Sequence, residues 1–221
     1  MSEHSERLRA AYDFDAPRRN NNVFDGWRVD ITDRFLARLE PGATVLELGA
    51  GAGQGAVYMM EQGFGVTAID ISPANVELAI GREVDARVAD FTNPDFFAGE
   101  YDGVFAMNSL LHVPKRMFLQ VLSVIRRSLG RGGVATIVVW GGTSHEGTLE
   151  EEWTEPPRFF ALYSDDDFAM LPTPGFRRLG CEFRHADGEH GLHPQVLTLE
   201  RTSLEETSLE ETSLEGTTTE G

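Results

Sequence analysis

Four glycines and one acid share the segment VLELGAGAGQG, residues 45–55. Glu47 lies in a short apolar run, and the glycines follow it at every second position, at 49, 51, 53 and 55. Glycine has no Cβ and readily adopts positive φ, so this spacing is typical of a turn where the backbone closely approaches another group. A helical pattern begins at Ala56. A strand, a glycine turn and a helix N-terminus together form the usual cradle for a nucleotide-like ligand.

Two further acids end the next two predicted strands. Asp70 closes VTAID, 21 residues after Gly49, and Asp90 closes ARVAD. The carboxyl ends of parallel strands meet at one edge of a sheet, so Glu47, Asp70 and Asp90 should line one crevice. There Asp70 is placed to accept hydrogen bonds from both hydroxyls of a ribose. Asp90, with Phe91 beside it, is placed to bond an adenine amino group under an apolar cover.

The elements that must position these acids alternate between strands and helices. Strands are predicted at 44–48, 65–69, 86–89, 102–106 and 134–140, and helices near 53–62, 73–80 and 114–129. This alternation indicates right-handed βαβ units. Two closing runs, at 176–185 and 194–201, flank a polar loop and predict an antiparallel hairpin at the edge of the sheet. The expected fold class is therefore α/β, a doubly wound and mostly parallel sheet with helices on both faces.

Composition and charge exclude several classes of partner. The formal net charge is −17, and residues 202–221 carry six glutamates and no basic residue, which leaves the rest of the chain at −11. Such a surface repels phosphate backbones, so no nucleic-acid partner is expected. No apolar run approaches the ~18 residues of a membrane span, and the charged N-terminus lacks the apolar core of a secretory signal. The one cysteine, Cys181, excludes an intrachain disulfide, and we expect a cytoplasmic protein.

At these motifs the chain resembles a known family, the class I S-adenosylmethionine-dependent methyltransferases that act on small molecules. The resemblance runs from Gly42 to Arg201. Its most specific element is the acid two residues before GxGxG, and VTAIDIS, ARVADF, FAMNSLLHV and LGRGGVATI follow in the expected order. The family fold has seven strands, the last of them antiparallel, which agrees with the predicted closing hairpin.

The resemblance implies S-adenosyl-L-methionine as cofactor, S-adenosyl-L-homocysteine as product, and no metal ligand. The glycine turn should approach the methionine moiety, Ile71 should flank the adenine, and Met107 should offer its carbonyl to the amino group of the cofactor. The implied contacts on the sheet are Glu47, Gly49, Ala50, Gly51, Gly53, Asp70, Ile71, Asp90, Phe91, Met107 and Asn108.

The expected chemistry is methyl transfer to a small-molecule acceptor. The sulfonium is already activated, so the protein must hold the nucleophile about 3 Å from the methyl carbon and exclude water. A hydroxyl acceptor is favoured, with nitrogen, sulfur and carbon acceptors left open. A hydroxyl benefits from a base, and His112, with an ordinary pKa near ~6.5, is the candidate. The alternative is that His112 caps a helix or bonds a carbonyl group.

Further segments flank or interrupt the expected methyltransferase domain. The predicted division is a helical, substrate-capping lid at 1–40, the domain at 41–201 with a substrate-side insert at 141–163, and a low-complexity acidic tail at 202–221. Residues 141–157 have the composition of a loop. In the lid, Trp27 and Arg28 are candidates to contact the methionine end, Arg28 by pairing with the cofactor carboxylate. The alternative places Trp27 in the core and Arg28 in solvent.

Two other functions stay open. Residues 51–56, GAGQGA, fit the GxGxxA turn of a nicotinamide (NAD(P)) or flavin oxidoreductase. Against that function stand Glu47, the position of Asp90 and the closing hairpin, and no tyrosine is followed by a lysine four residues later. The other function is that of a protein which binds S-adenosylmethionine without turning it over.

Overall fold

The computed structural model describes residues 1–96, 99–188 and 191–202 of the 221-residue chain, so the predicted acidic tail lies outside the described residues beyond Thr202. The helices are α1 (Glu3–Arg19), α2 (Trp27–Leu36), α3 (Gln54–Glu61), α4 (Pro73–Ile80), α5 (Phe118–Ser128) and α6 (Asp165–Ala169). The strands are β1 (Thr44–Leu48), β2 (Gly65–Asp70), β3 (Asp85–Val88), β4 (Tyr101–Met107), β5 (Leu129–Gly141), β6 (His145–Thr148), β7 (Phe159–Leu162), β8 (Phe176–Phe183) and β9 (His193–Arg201). Short 3₁₀ turns lie at Leu110–His112, Lys115–Met117 and His185–Asp187. Among the described helices, none is both long and apolar enough to span a membrane.

Seven strands form one sheet in the order β3-β2-β1-β4-β5-β9-β8. The pairs β1–β2, β1–β4, β2–β3 and β4–β5 are parallel. The last strand, β9, runs antiparallel to both of its neighbours, β5 and β8. The predicted fold class, a mostly parallel seven-stranded α/β sheet with an antiparallel C-terminal strand, is therefore confirmed. The closing hairpin lies at one edge, with β8 outermost.

Helices cover both faces of the sheet because successive strand residues point to opposite sides. Val45 of β1 belongs to a buried cluster with Phe35 of α2 and Met59 of α3. The next residue, Leu46, belongs to a second cluster with Leu122 of α5. Strands buried on both faces are near-continuous apolar runs, which is why the sequence identifies them so clearly.

The structure differs from the predicted elements in two places. Strand β5 begins at Leu129 and not at 134, because Leu129 pairs with Tyr101 before an irregularity in the register at the glycine-rich stretch. Within the predicted loop at 141–157, β6 pairs antiparallel with β7 to form a two-stranded ribbon. The HEGT sequence of β6 lacks the apolar alternation that predicts a strand.

Packing between α3 and α4 accounts for one of the four glycines of the turn after β1. Gly53 is the N-cap of α3 and has a φ of 86°. A Cβ at this position would stand 2.8 Å from the Cβ of Ala79 in α4. Glycine is therefore required both by the left-handed backbone and by the closeness of α4.

We expect Gly53→Ala to lower the free energy of unfolding by about 2–4 kcal/mol, because it adds a left-handed alanine and displaces α4. Gly63→Ala is the matched control, since Gly63 has a φ of 91° but no neighbour within 4 Å of the added methyl group. That control should lose only about 1–2 kcal/mol. Urea unfolding followed by circular dichroism measures both losses, and equal losses would contradict the packing role of Gly53.

Candidate active site

A crevice opens at the carboxyl ends of β1, β2 and β4, and residues of α1 and of the segment before α2 also line it. It holds about 1170 Å³ of space, part of which is open to solvent. The structure brings most of the predicted site residues to this crevice. Those that line it are Arg28, Glu47, Gly49, Ala50, Gly51, Asp70, Ile71, Asp90, Phe91, Met107, Asn108 and His112.

Two predicted cofactor contacts, Trp27 and Gly53, lie outside this lining. Trp27 packs edge-on against Trp140 of β5, with 5.7 Å between the ring centroids. The Arg28 guanidinium lies over the Trp27 indole, 4.6 Å from the ring centroid, in a cation–π contact. Trp27 thus packs against the sheet and supports Arg28 at the crevice wall, whereas Gly53 serves the contact between α3 and α4.

At most glycines of this turn, the group that lies close to the backbone is another residue of the same chain. A Cβ at Gly49 would stand 2.4 Å from the Cβ of Ser109, and one at Gly55 would stand 2.6 Å from Oε1 of Glu47. Gly51 differs, because it has a φ of 57° and no described atom beyond its chain neighbours lies within 4 Å of the Cβ that it lacks. Gly51 is therefore the glycine of this turn that leaves open space at the crevice.

Asp70 is buried at the end of β2, where it both holds the glycine turn and lines the crevice. Its Oδ2 accepts a hydrogen bond from the N–H of Gly51 at 2.8 Å, and its Oδ1 accepts one from the N–H of Ser72 at 2.9 Å and a longer one from Asn75 Nδ2 at 3.4 Å. Burial raises the pKa of Asp70, and the hydrogen bonds from Ser72 and Gly51 oppose that rise. A carboxylate offers about four acceptor sites, so Asp70 retains capacity for a ligand hydroxyl.

Glu47 is buried and incompletely paired. Its side chain lies at the end of β1, and its Oε2 has no hydrogen-bond partner among the described residues. Burial, together with the nearby Asp70 carboxyl, raises the pKa of Glu47 to about 8, against the effect of a hydrogen bond from the N–H of Ala56. Glu47 therefore holds its proton at neutral pH until a cation or a donor approaches Oε2.

The chain leaving β4 adds two more unpartnered polar atoms to the crevice. Asn108 has a φ of 56°, and its N–H donates to the carbonyl of Val138 at 2.8 Å. Oδ1 of Asn108 and Oγ of Ser109 are buried without a hydrogen-bond partner in the part of the chain that the structure describes. Both residues line the crevice, so these atoms and Oε2 of Glu47 lie unpartnered within its wall.

Asp90 and Phe91 follow β3 and line the same crevice. Oδ1 of Asp90 accepts hydrogen bonds from the backbone N–H of Thr92 at 2.9 Å and from its hydroxyl at 2.5 Å. Phe91 packs against the apolar cluster under α5. The predicted pair of an acid and an apolar neighbour is thus held in place at the carboxyl edge of the sheet.

His112 is buried, and both of its ring nitrogens are engaged. Nδ1 lies 2.7 Å from the carbonyl oxygen of Phe159 and must donate to it, so Nε2 accepts from the Tyr12 hydroxyl at 2.5 Å. Burial lowers the pKa of His112 to about 3, although the hydrogen bond to Phe159 opposes that effect. The expectation of an ordinary pKa near ~6.5 is therefore wrong: His112 is a neutral imidazole that bonds a carbonyl group.

Sequence reasoning predicted a substrate-capping lid at 1–40 but missed the individual contacts that α1 makes in the site. Ser5, Leu8 and Tyr12 line the crevice, and Nε2 of His4 lies 2.9 Å from the carbonyl oxygen of His112. The apolar residues of α1 form no single stripe that would indicate its docked face. The one indication in the sequence was the candidate role of His112, because a buried histidine needs hydrogen-bond partners from the segment that covers it.

An ion-pair network around the buried Asp15 fixes α1 against the insert at 141–163. Asp15 of α1 is buried and lies 2.8 Å from both Arg18 and Arg19. Arg158 of the insert lies 3.9 Å from Asp15 and pairs with Glu152 at 3.0 Å. These groups join the N-terminal helix to the segment whose Phe159 carbonyl holds His112.

Two of these arginines, Arg19 and Arg158, also flank Tyr12. The guanidinium groups of Arg19 and Arg158 lie 4.7 Å and 5.6 Å from its ring centroid. Burial raises the pKa of Tyr12, and the positive charges of Arg19 and Arg158 oppose that rise without cancelling it. Tyr12 therefore keeps its proton and donates a hydrogen bond to Nε2 of His112.

Comparison with known proteins identifies the family. A family model described as a methyltransferase domain matches residues 19–171, which is more than half of the chain. The ubiquinone biosynthesis O-methyltransferase of Xanthomonas campestris pathovar campestris is 32% identical over 160 residues, which cover 68% of this chain and 59% of that relative. The chain spans about half the length of the curated relatives that it matches.

Solved structures show the same fold. The 1,6-didemethyltoxoflavin-N1-methyltransferase of Burkholderia thailandensis aligns with a TM-score of 0.71 and 23% identity, over 91% of this chain and 90% of that chain. The [4+2]-cyclase SpnF aligns with a TM-score of 0.67 and 18% identity, over 90% of this chain and 97% of that chain. At such identities the likeness concerns the fold alone. The chain belongs to the methyltransferase-domain family, and the class I resemblance is confirmed.

The raised pKa of Glu47 predicts a dependence of stability on pH. In the free protein the protonated carboxyl contributes stability that is fully present below pH about 4.5 and is lost as the pH rises to about 8. We expect Glu47→Gln to gain stability over the unmodified chain across this window, by at most about 1.4 kcal/mol per pH unit. Equilibrium unfolding at a series of pH values from pH ~4 to pH ~9 measures the difference.

Glu61→Gln is the matched control, because Glu61 is an exposed residue at the end of α3. Its difference from the unmodified chain measures the effect of removing one exposed acid. A difference for Glu47→Gln that rises with pH no more steeply than that of Glu61→Gln would show that Glu47 does not hold its proton in the folded protein.

Proposed function

We propose that this chain catalyses S-adenosylmethionine-dependent methyl transfer to a small-molecule acceptor, with a hydroxyl oxygen as the favoured acceptor atom. Family membership supports the reaction class, and the relatives named O-methyltransferases support oxygen. The observation that carries the proposal is the group of buried, unpartnered atoms on Glu47, Asn108 and Ser109 beside the glycine turn. Buried polar atoms are normally hydrogen-bonded, so a set without partners in the wall of a crevice supports a ligand there.

The residues of the crevice fit the groups of this cofactor. Oε2 of Glu47 offers a buried acceptor to the ammonium of the methionine moiety, and Arg28 offers a cation to its carboxylate. Asp70 retains acceptor capacity for a ribose hydroxyl, while Asp90 and Phe91 suit the amino group and the ring of adenine. The bound cofactor supplies a methyl group on a sulfonium, which needs no further activation.

We assign the acceptor to the part of the crevice between α1 and the Leu110–His112 turn. Leu8 and Val113 provide apolar contacts there, and Tyr12 and His112 provide the polar ones. The predicted lid at 1–40 and the predicted substrate-side insert at 141–163 keep those roles in the proposal, because both contribute partners to His112. A small, partly apolar acceptor fits this lining, and the acidic chain disfavours nucleic acid. The single cysteine supports the cytoplasm as the location.

Tyr12 stands between the acceptor space and His112. In the proposed proton path, the acceptor hydroxyl gives its proton to the Tyr12 oxygen while Tyr12 gives its own proton to Nε2 of His112. Two O–H bonds break, one O–H and one N–H bond form, and the imidazole becomes an imidazolium. Because burial lowers the pKa of His112 to about 3, this path serves an acidic hydroxyl such as a phenol or an enol better than an aliphatic alcohol.

A second candidate is a protein of this fold that binds the cofactor without methyl transfer. The fully hydrogen-bonded, neutral His112 favours it, and the similarity of fold to a [4+2]-cyclase is a reminder that fold does not determine chemistry. Binding of S-adenosylhomocysteine without transfer to any member of a broad phenol and enol panel would select this candidate. A fluorescence titration with NADH and NADPH tests the alternative function, that of an oxidoreductase. The absence of a response would rule that function out.

We expect Asp70→Asn to weaken S-adenosylhomocysteine binding roughly ten- to hundredfold, because charge-assisted hydrogen bonds to the ribose are lost. Isothermal calorimetry measures the affinity, and thermal unfolding is recorded alongside because Asp70 also bonds Gly51. Asp85→Asn is the control, since Asp85 is an exposed acid at the start of β3, and its affinity should match that of the unmodified chain. Undiminished binding by a folded Asp70→Asn variant would contradict the assignment.

We expect Tyr12→Phe to reduce kcat for phenol methylation by roughly 10²- to 10⁴-fold while S-adenosylhomocysteine affinity stays within about threefold. The reason is that phenylalanine keeps the ring but removes the hydroxyl that reaches His112. Release of S-adenosylhomocysteine measures turnover. Tyr58→Phe, which removes a hydroxyl bonded to Asp33 outside the crevice, should leave kcat unchanged. Full turnover by Tyr12→Phe would remove Tyr12 from the proton path.

A further inference from the structure

Three side chains able to ligate a metal meet outside the crevice. Asp165 begins α6, His185 lies in the 3₁₀ turn after β8, and His193 begins β9. One ligand atom from each residue lies within 4.8 Å of the other two. None of the three lines the crevice of the candidate active site.

The antiparallel course of β9 explains how these segments come together. His193 pairs with Gly141 at the carboxyl end of β5. The N–H of Gly142 then donates to the carbonyl of Tyr163 at 2.8 Å, which brings the start of α6 to the same end of the sheet. His185 reaches this place from the end of the neighbouring strand, β8.

Both imidazoles face one carboxylate. Nε2 of His193 lies 2.8 Å from Oδ1 of Asp165, and Nε2 of His185 lies 3.6 Å from Oδ2. The centroids of the two imidazole rings are 4.0 Å apart. In a tetrahedral zinc site, metal–ligand distances near 2.0–2.1 Å place neighbouring donor atoms roughly 3.3 Å apart. The three donors therefore stand close to the spacing that a shared ion requires.

Neighbouring residues hold two of the donors in place. Nε2 of Gln195 donates to Oδ1 of Asp165 at 2.8 Å and to the carbonyl of Tyr163 at 3.1 Å. The His193 ring occupies space that glycine alone leaves free, because a Cβ at Gly142 would stand 2.6 Å from its Cε1. Support of this kind orients ligands in metal sites and raises the affinity.

We infer that Asp165, His185 and His193 form a binding site for a transition-metal ion of the zinc class. Two imidazoles and one carboxylate suit Zn²⁺, Co²⁺ or Ni²⁺, whereas Mg²⁺ and Ca²⁺ prefer oxygen ligands throughout. His193 is buried, Asp165 is half-buried and His185 is exposed, so a fourth position faces solvent. The ion ties α6 to the β8–β9 hairpin and so stabilises the antiparallel edge of the sheet. The family resemblance implies no metal ligand, and these three residues, 20 and 8 positions apart, match no spacing motif.

The test is a Co²⁺ titration of the full chain, prepared without a polyhistidine tag and freed of metal by a chelator. We expect the visible absorption of four-coordinate Co²⁺, its loss on addition of Zn²⁺, and a rise in Tm with Zn²⁺ but not with Mg²⁺. His185→Ala removes an exposed ligand, and Asp165→Asn weakens a second; each should reduce the affinity roughly 10- to 100-fold. Asp166→Asn, an exposed neighbour in the same turn of α6, is the control and should bind as the unmodified chain does.

Three results would overturn the inference. One is an unmodified chain that shows neither the Co²⁺ absorption nor a Zn²⁺-dependent rise in Tm. Another is a His185→Ala variant that is folded by circular dichroism and binds Co²⁺ as tightly as the unmodified chain. Equal weakening by Asp166→Asn would likewise show that general negative charge, and not this ligand set, attracts the ion.

Discussion

The site depends on the burial of two carboxyl groups at the ends of the adjacent parallel strands β1 and β2. Asp70 is satisfied by the N–H groups of Gly51 and Ser72, so it shapes the glycine turn. Glu47 is not satisfied, and its pKa rises to about 8 because of burial and because of Asp70. Burial of Glu47 requires glycine at position 55, because a Cβ there would stand 2.6 Å from Oε1 of Glu47. A strongly perturbed acid in a crevice costs stability and is typical of a place where a ligand binds.

The second half of the site is made by a helix that lies outside the sheet. Helix α1 brings Tyr12 onto His112, and the insert brings the Phe159 carbonyl onto the other ring nitrogen. The network around Asp15 and Arg158 joins these two covering segments. As a result the imidazole is neutral and oriented, and in the proposed function an acceptor reaches it by way of the Tyr12 hydroxyl. On that proposal, the segments around the sheet recognise the acceptor, whereas the sheet presents the acids.

The fold could be predicted because its central strands are apolar runs covered on both faces, and each ends in a recognisable turn. The acids at strand ends then followed from topology, since parallel strands place Asp70 and Asp90 at one edge. The contacts of α1 could not be predicted, because Tyr12 meets His112 across 100 residues and no local pattern encodes that docking. Trp27 has the residue type of a ligand contact, but its direction is set by Trp140 on a distant strand. The ribbon of β6 and β7 was missed because β6 lacks apolar alternation.

Whether Glu47 holds its proton in the free protein is tested by the number of protons released when S-adenosylhomocysteine binds. Calorimetry at pH ~7 in two buffers of different ionisation enthalpy gives that number. We expect release of about one proton, because Glu47 gives up its proton when the ligand ammonium pairs with it, and no release in Glu47→Gln. A binding enthalpy of the unmodified chain that is the same in both buffers would contradict this expectation.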